Sequence, residues 1–265
     1  MDGQGHPTLT IERRHAIADW VVQQGAARVT ELSEQFNVSA ATVRRDLEAL
    51  EDGGRLRRVH GGAVAVEDDE SVVHTEAPPS AEEGASRLRS STRIGEAVAA
   101  MIEEGETVFL GPGPLSLEVA RNLEGHPPLT VITNGLDIAH RLATHTGHRL
   151  IITGGQIEER SMGLVGQMAR RALSNLRADR VILELDGVSA LEGLTLDSLP
   201  QAEIAQLIME SGARVVVLVS PERVGRVAAT RIAPASGADV IVTGRDAPSA
   251  YLWDLSEVGI EIVLA

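Results

Sequence analysis

Residues Val29 to Val64, VTELSEQFNVSAATVRRDLEALEDGGRLRRVHGGAV, constrain the fold of this chain more than any other stretch. Within TELSEQF, Leu32 and Phe36 stand four apart, as on one face of a short helix, and Thr30 is placed to cap its first turn. Asn37 and Val38 supply a tight turn. Ser39 then caps a second helix on which Val43, Leu47 and Leu50 share a face. Successive helical residues turn through about 100°, so the opposite face displays Ala41, Arg44, Arg45 and Glu48. Ser39, Ala41 and Thr42 at the helix start permit close approach, and a guanidinium just beyond reaches guanine edges or phosphates bidentately.

Arg44 also stands four residues before Glu48, the spacing of an ordinary exposed ion pair, so the two arginines alone do not identify an interface. Their surroundings do. An amphipathic segment from Thr10 to Gln24, with Ile11, Ile17, Trp20 and Val21, precedes the pair of helices, and Gly53-Gly54 ends the second one. The run Arg55 to Val64 has the pattern of a wing hairpin carrying Arg57, Arg58 and His60 along a phosphate backbone. The expectation is a winged helix-turn-helix whose partner is a double-stranded DNA operator.

The run Val38-Ser39-x-x-Thr42-Val43-Arg44-Arg45-Asp46-Leu47-x-x-Leu50-Glu51, followed by Leu56-x-Arg58-x-His60-Gly61-Gly62-Ala63, resembles the winged helix-turn-helix of DeoR-type bacterial transcription regulators. The resemblance covers residues 8–66 and implies a sequence-specific regulator, most often a repressor in that family.

The 265 residues suit such a module plus one larger domain. Cysteine is absent, and all 24 basic residues are Arg, which excludes thiol chemistry, Schiff-base lysines and a P-loop lysine. Apolar runs fall short of the ~20 residues that span a membrane, and MDGQGHPTL lacks the apolar core of a signal peptide. A cytoplasmic protein with no membrane partner is expected. The net charge of −14 opposes DNA binding only on average. Residues 1–66 hold eight Arg against nine acids, with five of those Arg between Arg44 and Arg58. Fields decay over about 8 Å at physiological salt, so the local patch decides.

Residues 67–91 are acidic and rich in Pro, Ser and Ala, and read as a linker with helical character over Ala81–Leu88. Residues 92–265 alternate helices with short apolar strands at 107–110, 129–133, 150–153, 180–185, 215–219, 241–242 and 260–264. That alternation predicts a doubly wound, mostly parallel α/β domain with ligands at the carboxyl ends of its strands. Small and polar residues gather at those ends: Gly111-Pro112-Gly113, Thr133-Asn134-Gly135, Thr153-Gly154-Gly155, Asp186-Gly187 and Ser220-Pro221-Glu222-Arg223. Each is an ordinary turn taken singly; five on one sheet edge suggest a pocket.

Thr133-Asn134, Gly154-Gly155, Asp186-Gly187 and Gly193-Leu194-Thr195 resemble, in place and order, the sensor domain of the same family. That domain is related in fold to ribose-5-phosphate isomerase and glucosamine-6-phosphate deaminase. The resemblance implies an effector site with Gly111, Gly113, Ser116, Thr133, Asn134, Gly154, Gly155, Asp186, Gly187, Thr195 and Arg223 around a small carbohydrate-derived molecule, a sugar phosphate in the family.

This chain departs from the family pattern where phosphate would be held. Asp-x-Gly-Thr-Thr is replaced by Gly111-Pro112-Gly113-Pro114-Leu115, Glu184 stands where Gly is usual, and a helix Lys aligns with Ala205. Asp-Ser-x-Lys becomes Ser220-Pro221-Glu222-Arg223, and a late Thr-Asp becomes Thr243-Gly244. An altered effector, or none, is therefore expected, leaving a ligand-independent architectural regulator as the alternative. A sugar-phosphate isomerase or deaminase is the remaining reading, with Glu184 and Asp186 as acid–base groups and Arg223 as the cation. Its missing Lys and acids argue against catalytic residues, so no enzyme and no cofactor are expected. His140, His145 and His148 are too loosely spaced for a metal site, and Glu103-Glu104 is a solvated helix face. A single winged helix reads only a short half-site, which calls for a homo-oligomer, dimer or tetramer, assembled through the second domain.

Overall fold

A computed structural model describes residues 13–18, 20–21, 26–52, 56–59, 61–65, 81–145, 147–211 and 213–265. The chain forms two compact units: one takes in Met1–Pro78 and Pro248–Val258, the other Pro79–Ala247 and Gly259–Ala265.

In the first unit a leading helical segment (13–18 and 20–21) precedes β1 (Ala26–Arg28), α1 (Val29–Gln35), α2 (Ala40–Asp52), β2 (Leu56–Val59) and β3 (Gly62–Ala65). Ile17, Val21, Leu32, Val43, Leu47, Leu50 and Leu56 form its core, with the expected Trp20 and Phe36 partly buried against it. Ile11, Gly53, Gly54, Arg55 and His60 lie outside the described residues. Ser39 caps α2 as expected, its Oγ accepting the Thr42 N–H at 3.1 Å. Thr30 does not cap α1. Arg28 is the N-cap, and its N–H donates to Glu31 Oε2 at 2.8 Å. The helix springs directly from β1, so its cap is the last residue of a strand and Thr30 falls within the first turn. The three strands pair antiparallel in the order β1-β3-β2. Gly62 is required there because a Cβ would lie 2.1 Å from the Ala27 carbonyl oxygen of the crossing β1.

The second unit begins with α3 (Ala81–Ala99), so the helical character expected over Ala81–Leu88 runs on to Ala99. It continues as β4 (Thr107–Leu110), α4 (Pro114–Asn122), β5 (Thr130–Thr133), α5 (Leu136–His145), β6 (Arg149–Ile152) and the hairpin β7 (Gln156–Glu158) and β8 (Gly163–Val165). Then follow α6 (Gln167–Leu173), β9 (Arg180–Glu184), β10 (Gly187–Ser189), β11 (Gly193–Leu196), α7 (Leu199–Met209), β12 (Arg214–Leu218), β13 (Thr230–Ala233) and β14 (Val240–Thr243). After α8 (Ser249–Glu257), which groups with the first unit, β15 (Glu261–Leu264) closes the series.

Seven strands form one sheet in the order β15-β14-β12-β9-β4-β5-β6, and every neighbouring pair is parallel. Val108, Leu110, Val131, Ile182, Val216 and Leu218 pack on one face with Ile94, Val98, Val119 and Leu142 of the helices. Phe109, Ile132, Val181, Val217 and Ile241, the alternate residues, are equally buried. Burial of both faces is why these strands read as unbroken apolar runs. The chain runs outward from β4 through β5 to β6, then returns to place β9 against β4's other edge. The carboxyl ends of β4 and β9 are therefore the point where strand order reverses, the usual place for a ligand crevice in such sheets.

Candidate functional site

The face of α2 expected to meet DNA is open. Thr30, Ser39, Ala41, Arg44 and Arg45 are exposed and Thr42 is half-buried, while Val43 and Leu47 hold the helix on the core. Asp46, between the exposed arginines and the buried stripe, is 2% exposed. It accepts from Arg13 Nε at 2.8 Å, Arg13 Nη2 at 3.3 Å and Arg14 Nε at 3.1 Å. Arg14 Nη1 also reaches Asp254 Oδ1 of α8 at 2.6 Å. Burial pushes the Asp254 carboxyl up, against the pull of Arg14. Asp46 thus pins α2 to the leading helix and sets the angle of its exposed face. Sequence patterns mark Asp46 but not its partners, which come from 32 and 33 residues upstream. In the wing, Arg57 pairs in register with Val64 and Arg58 with Ala63; His60 lies outside the described residues.

At the β4–β9 reversal lies a cavity of about 160 Å³. Of the expected effector residues, Gly111, Gly113, Asn134, Asp186 and Arg223 line it. The others have different places. Ser116 and Thr133 are buried behind the lining. Thr133 Oγ1 donates to the Leu110 carbonyl at 2.6 Å and accepts the Gly135 N–H at 3.0 Å. Thr195 Oγ1 donates to the Gly187 carbonyl at 3.0 Å and accepts the Ala228 N–H at 2.9 Å, so Thr195 and Gly187 hold the strand pair β10–β11 together. Gly154 and Gly155 turn the chain beside α6, where a Cβ on Gly155 would lie 2.6 Å from the Val165 carbonyl oxygen.

Glu158, Arg160, Ser161, Asp197, Ser198 and Gln201 also line the cavity, and strand-end patterns do not reveal them. They come from the β7–β8 hairpin and from the start of α7, where Ser198 is the N-cap. Glu158 Oε2 accepts from Ser161 Oγ at 2.5 Å, and Glu158 Oε1 accepts from Ser198 Oγ. Gln201 Nε2 donates to Ser161 Oγ at 3.0 Å, while its Oε1 accepts from Asn134 Nδ2 at 3.2 Å. The one signal for them in the sequence is the Ser-Leu-Pro start of α7, which marks a helix N-terminus.

Arg223 Nη1 stands 3.0 Å from Asp186 Oδ1, so the cation of this wall is paired. Glu184 accepts the Leu115 N–H at 2.7 Å and the Ser116 N–H at 3.3 Å, both on Oε2. Burial pushes its carboxyl up to about 7, although those two amides and Arg223 pull the other way. Pro114 occupies the first position of α4, where a missing N–H costs nothing, and the Leu115 and Ser116 amides beyond it remain available as donors. Among the described residues, no cluster of His, Cys, Asp or Glu could hold a metal ion, and no helix is long and apolar enough to cross a membrane.

Residues 13–69 match the family model of the DeoR-like helix-turn-helix domain, and residues 87–245 that of the DeoR C terminal sensor domain. The transcriptional repressor AccR of Agrobacterium fabrum is 32% identical over 235 residues, spanning 88% of this chain and 89% of the relative. The glycerol-3-phosphate regulon repressor of Escherichia coli K12 is 30% identical over 253 residues, 96% of this chain and 98% of that protein. A ribose 5-phosphate isomerase structure from Methanocaldococcus jannaschii is 13% identical with a TM-score of 0.38, covering 50% of this chain and 52% of the other; a likeness that distant does not bear on chemistry. With both family models matched in order along one chain, this protein belongs to the DeoR family of transcriptional regulators.

Proposed function

We propose that this chain is a sequence-specific transcriptional repressor of a carbohydrate-metabolism operon, controlled by a small carbohydrate-derived effector. The observation that carries the first part is the exposed N-terminal half of α2, with Arg44 and Arg45 outward and Asp46 locked inward by two guanidiniums. Such a helix presents bidentate donors to base edges at a set angle. Relatives named as repressors of the glycerol-3-phosphate regulon and as AccR support the regulatory sense.

Effector control is supported by the cavity at the sheet's reversal point, whose lining is built from six separate chain segments. The acid–base reading is weaker. Glu184 is engaged by helix amides and Arg223 by Asp186, so a substrate meets neither a free carboxylate base at Glu184 nor a free cation at Arg223. A ligand in the cavity alters DNA affinity only by its differential affinity for two conformations, typically ~1–3 kcal/mol. The test is fluorescence anisotropy of full-length protein on the DNA upstream of its own gene, with and without carbohydrate probes. Sequence-specific binding weakened by one probe is the expected result; binding indifferent to sequence would defeat the proposal.

A further inference from the structure

One helix start in the second unit already holds a carboxyl group, and the chain supplies it. The Leu115 and Ser116 amides at the head of α4 both donate to Oε2 of Glu184, at 2.7 and 3.3 Å. Glu184 reaches them from the end of β9, and the fit is close enough that a Cβ on Gly113 would lie 2.2 Å from that same oxygen. Free N–H groups and the helix dipole make such a terminus the natural seat of a phosphate. Here the seat is taken.

We infer that the Glu184 carboxyl occupies the phosphate position of this cavity, and that the effector is an uncharged polyhydroxy compound, a free sugar or polyol. The inference rests on the effector reading above and specifies its ligand. Three further observations support it. The lining carries four carboxylates, Glu158, Glu184, Asp186 and Asp197, against two guanidiniums. Arg223 is 3.0 Å from Asp186, so an incoming dianion finds that cation paired, while Arg160, largely exposed, is 3.9 Å from an Asp197 that Arg226 holds at 3.0 Å.

Asn134 supplies the independent sign of a ligand. It is fully buried and lines the cavity, and its Nδ2 donates to the Leu164 carbonyl at 3.1 Å and to Gln201. Its Oδ1, by contrast, has no hydrogen-bond partner among the described residues. A buried amide oxygen calls for a donor, which a hydroxyl of a polyhydroxy compound provides; the bias against a phosphoryl group comes from Glu184 and the carboxylates of the lining. The volume of about 160 Å³, below the ~300 Å³ where drug-sized pockets begin, suits one small metabolite.

The experiment is calorimetry on the full-length protein with inorganic phosphate and with matched pairs: ribose and ribose 5-phosphate, glycerol and glycerol 3-phosphate, galactitol and galactitol 1-phosphate. A wider panel of free sugars and polyols completes the neutral arm. Wild type should ignore inorganic phosphate and prefer a neutral compound over its phosphorylated partner by tenfold or more. Glu184→Ala should gain at least tenfold in affinity for inorganic phosphate. Glu184→Gln should not, because its amide oxygen still fills the seat.

A phosphorylated compound bound by wild type in preference to its neutral partner overturns the inference, and that arm needs no variant to fold. A natively folded Glu184→Ala without gain for phosphate overturns it too, and silence from every neutral compound removes the half concerning ligand class. Operator anisotropy separates this inference from the reading beneath it. A neutral compound that binds without altering operator affinity ends effector control and leaves the cavity assignment standing. A phosphorylated compound that releases the operator does the reverse.

Discussion

Glu184 titrates in the neutral range because burial disfavours its charge, only partly offset by the Ser116 and Leu115 amides and by Arg223, while Asp186 adds repulsion. Its folded value of about 7 lies above the 4.5 of an unperturbed carboxyl, so between those values the folded protein binds more protons than the unfolded one. Stability from this group is then fully present below about 4.5 and declines until the pH passes about 7. Glu158, Asp197 and Arg160 also line the cavity, but Glu158 is bonded to hydroxyls and Arg160 faces Asp197. Glu184→Gln should therefore match wild type near pH 5 and exceed it at pH 8, by up to about 3 kcal/mol. Denaturant titrations at the two pH values check this, and an equal offset at both would contradict it. Asp46 is buried between the guanidiniums of Arg13 and Arg14. Asp46→Ala strands that positive charge and should destabilise by about 3 kcal/mol, the low end for a broken buried pair because Arg13 and Arg14 remain partly exposed. It should weaken operator binding as well, through the tilt of α2.

Among the elements, α2 and the wing make separable predictions. Arg44→Ala and Arg45→Ala remove exposed side chains, so the melting temperature should hold while each lost bidentate base contact costs about 1–3 kcal/mol of operator affinity. Two variants that bind like wild type would exclude α2 as the recognition helix. Arg57→Ala in β2 should weaken all DNA sequences alike and flatten the plot of log affinity against log salt by about one unit. A changed sequence preference at unaltered slope would assign it to base readout instead. The helices and central strands were legible because their patterns are local: Val43, Leu47 and Leu50 recur at helical spacing, and Val215 to Val219 is an unbroken apolar run. β1 was not legible, since Ala26-Ala27-Arg28 has no strand character and becomes a strand only by pairing with β3. Nor was α8, which groups with the first unit although its sequence neighbours belong to the sheet. A boundary drawn at 92–265 therefore separates Asp254 from its partner Arg14.

On the scale of the whole molecule, one α2 face covers a short half-site, so useful specificity requires a second copy on the same face of the DNA. We expect sedimentation of the full chain to give a dimer or tetramer, free and on operator; a monomer in both states would contradict that expectation. The sequence by itself determined the winged helix-turn-helix, the alternation of helices with apolar strands, and the turn residues at the strand ends, because each is set by side-chain periodicity within a few residues. Only the tertiary structure decided what those residues face. Leu115 meets Glu184 across 69 positions, Asn134 meets Gln201 across 67, and Arg13 meets Asp46 across 33. The first two meetings follow from the order in which parallel strands assemble, with β9 returning to the free edge of β4, and the third from the packing of the leading helix on α2. Strand order is a property of packing layers of elements together, and no local pattern encodes it. In the sequence, Glu184 is only an acid after a strand; the fold seats its carboxyl at the head of a helix.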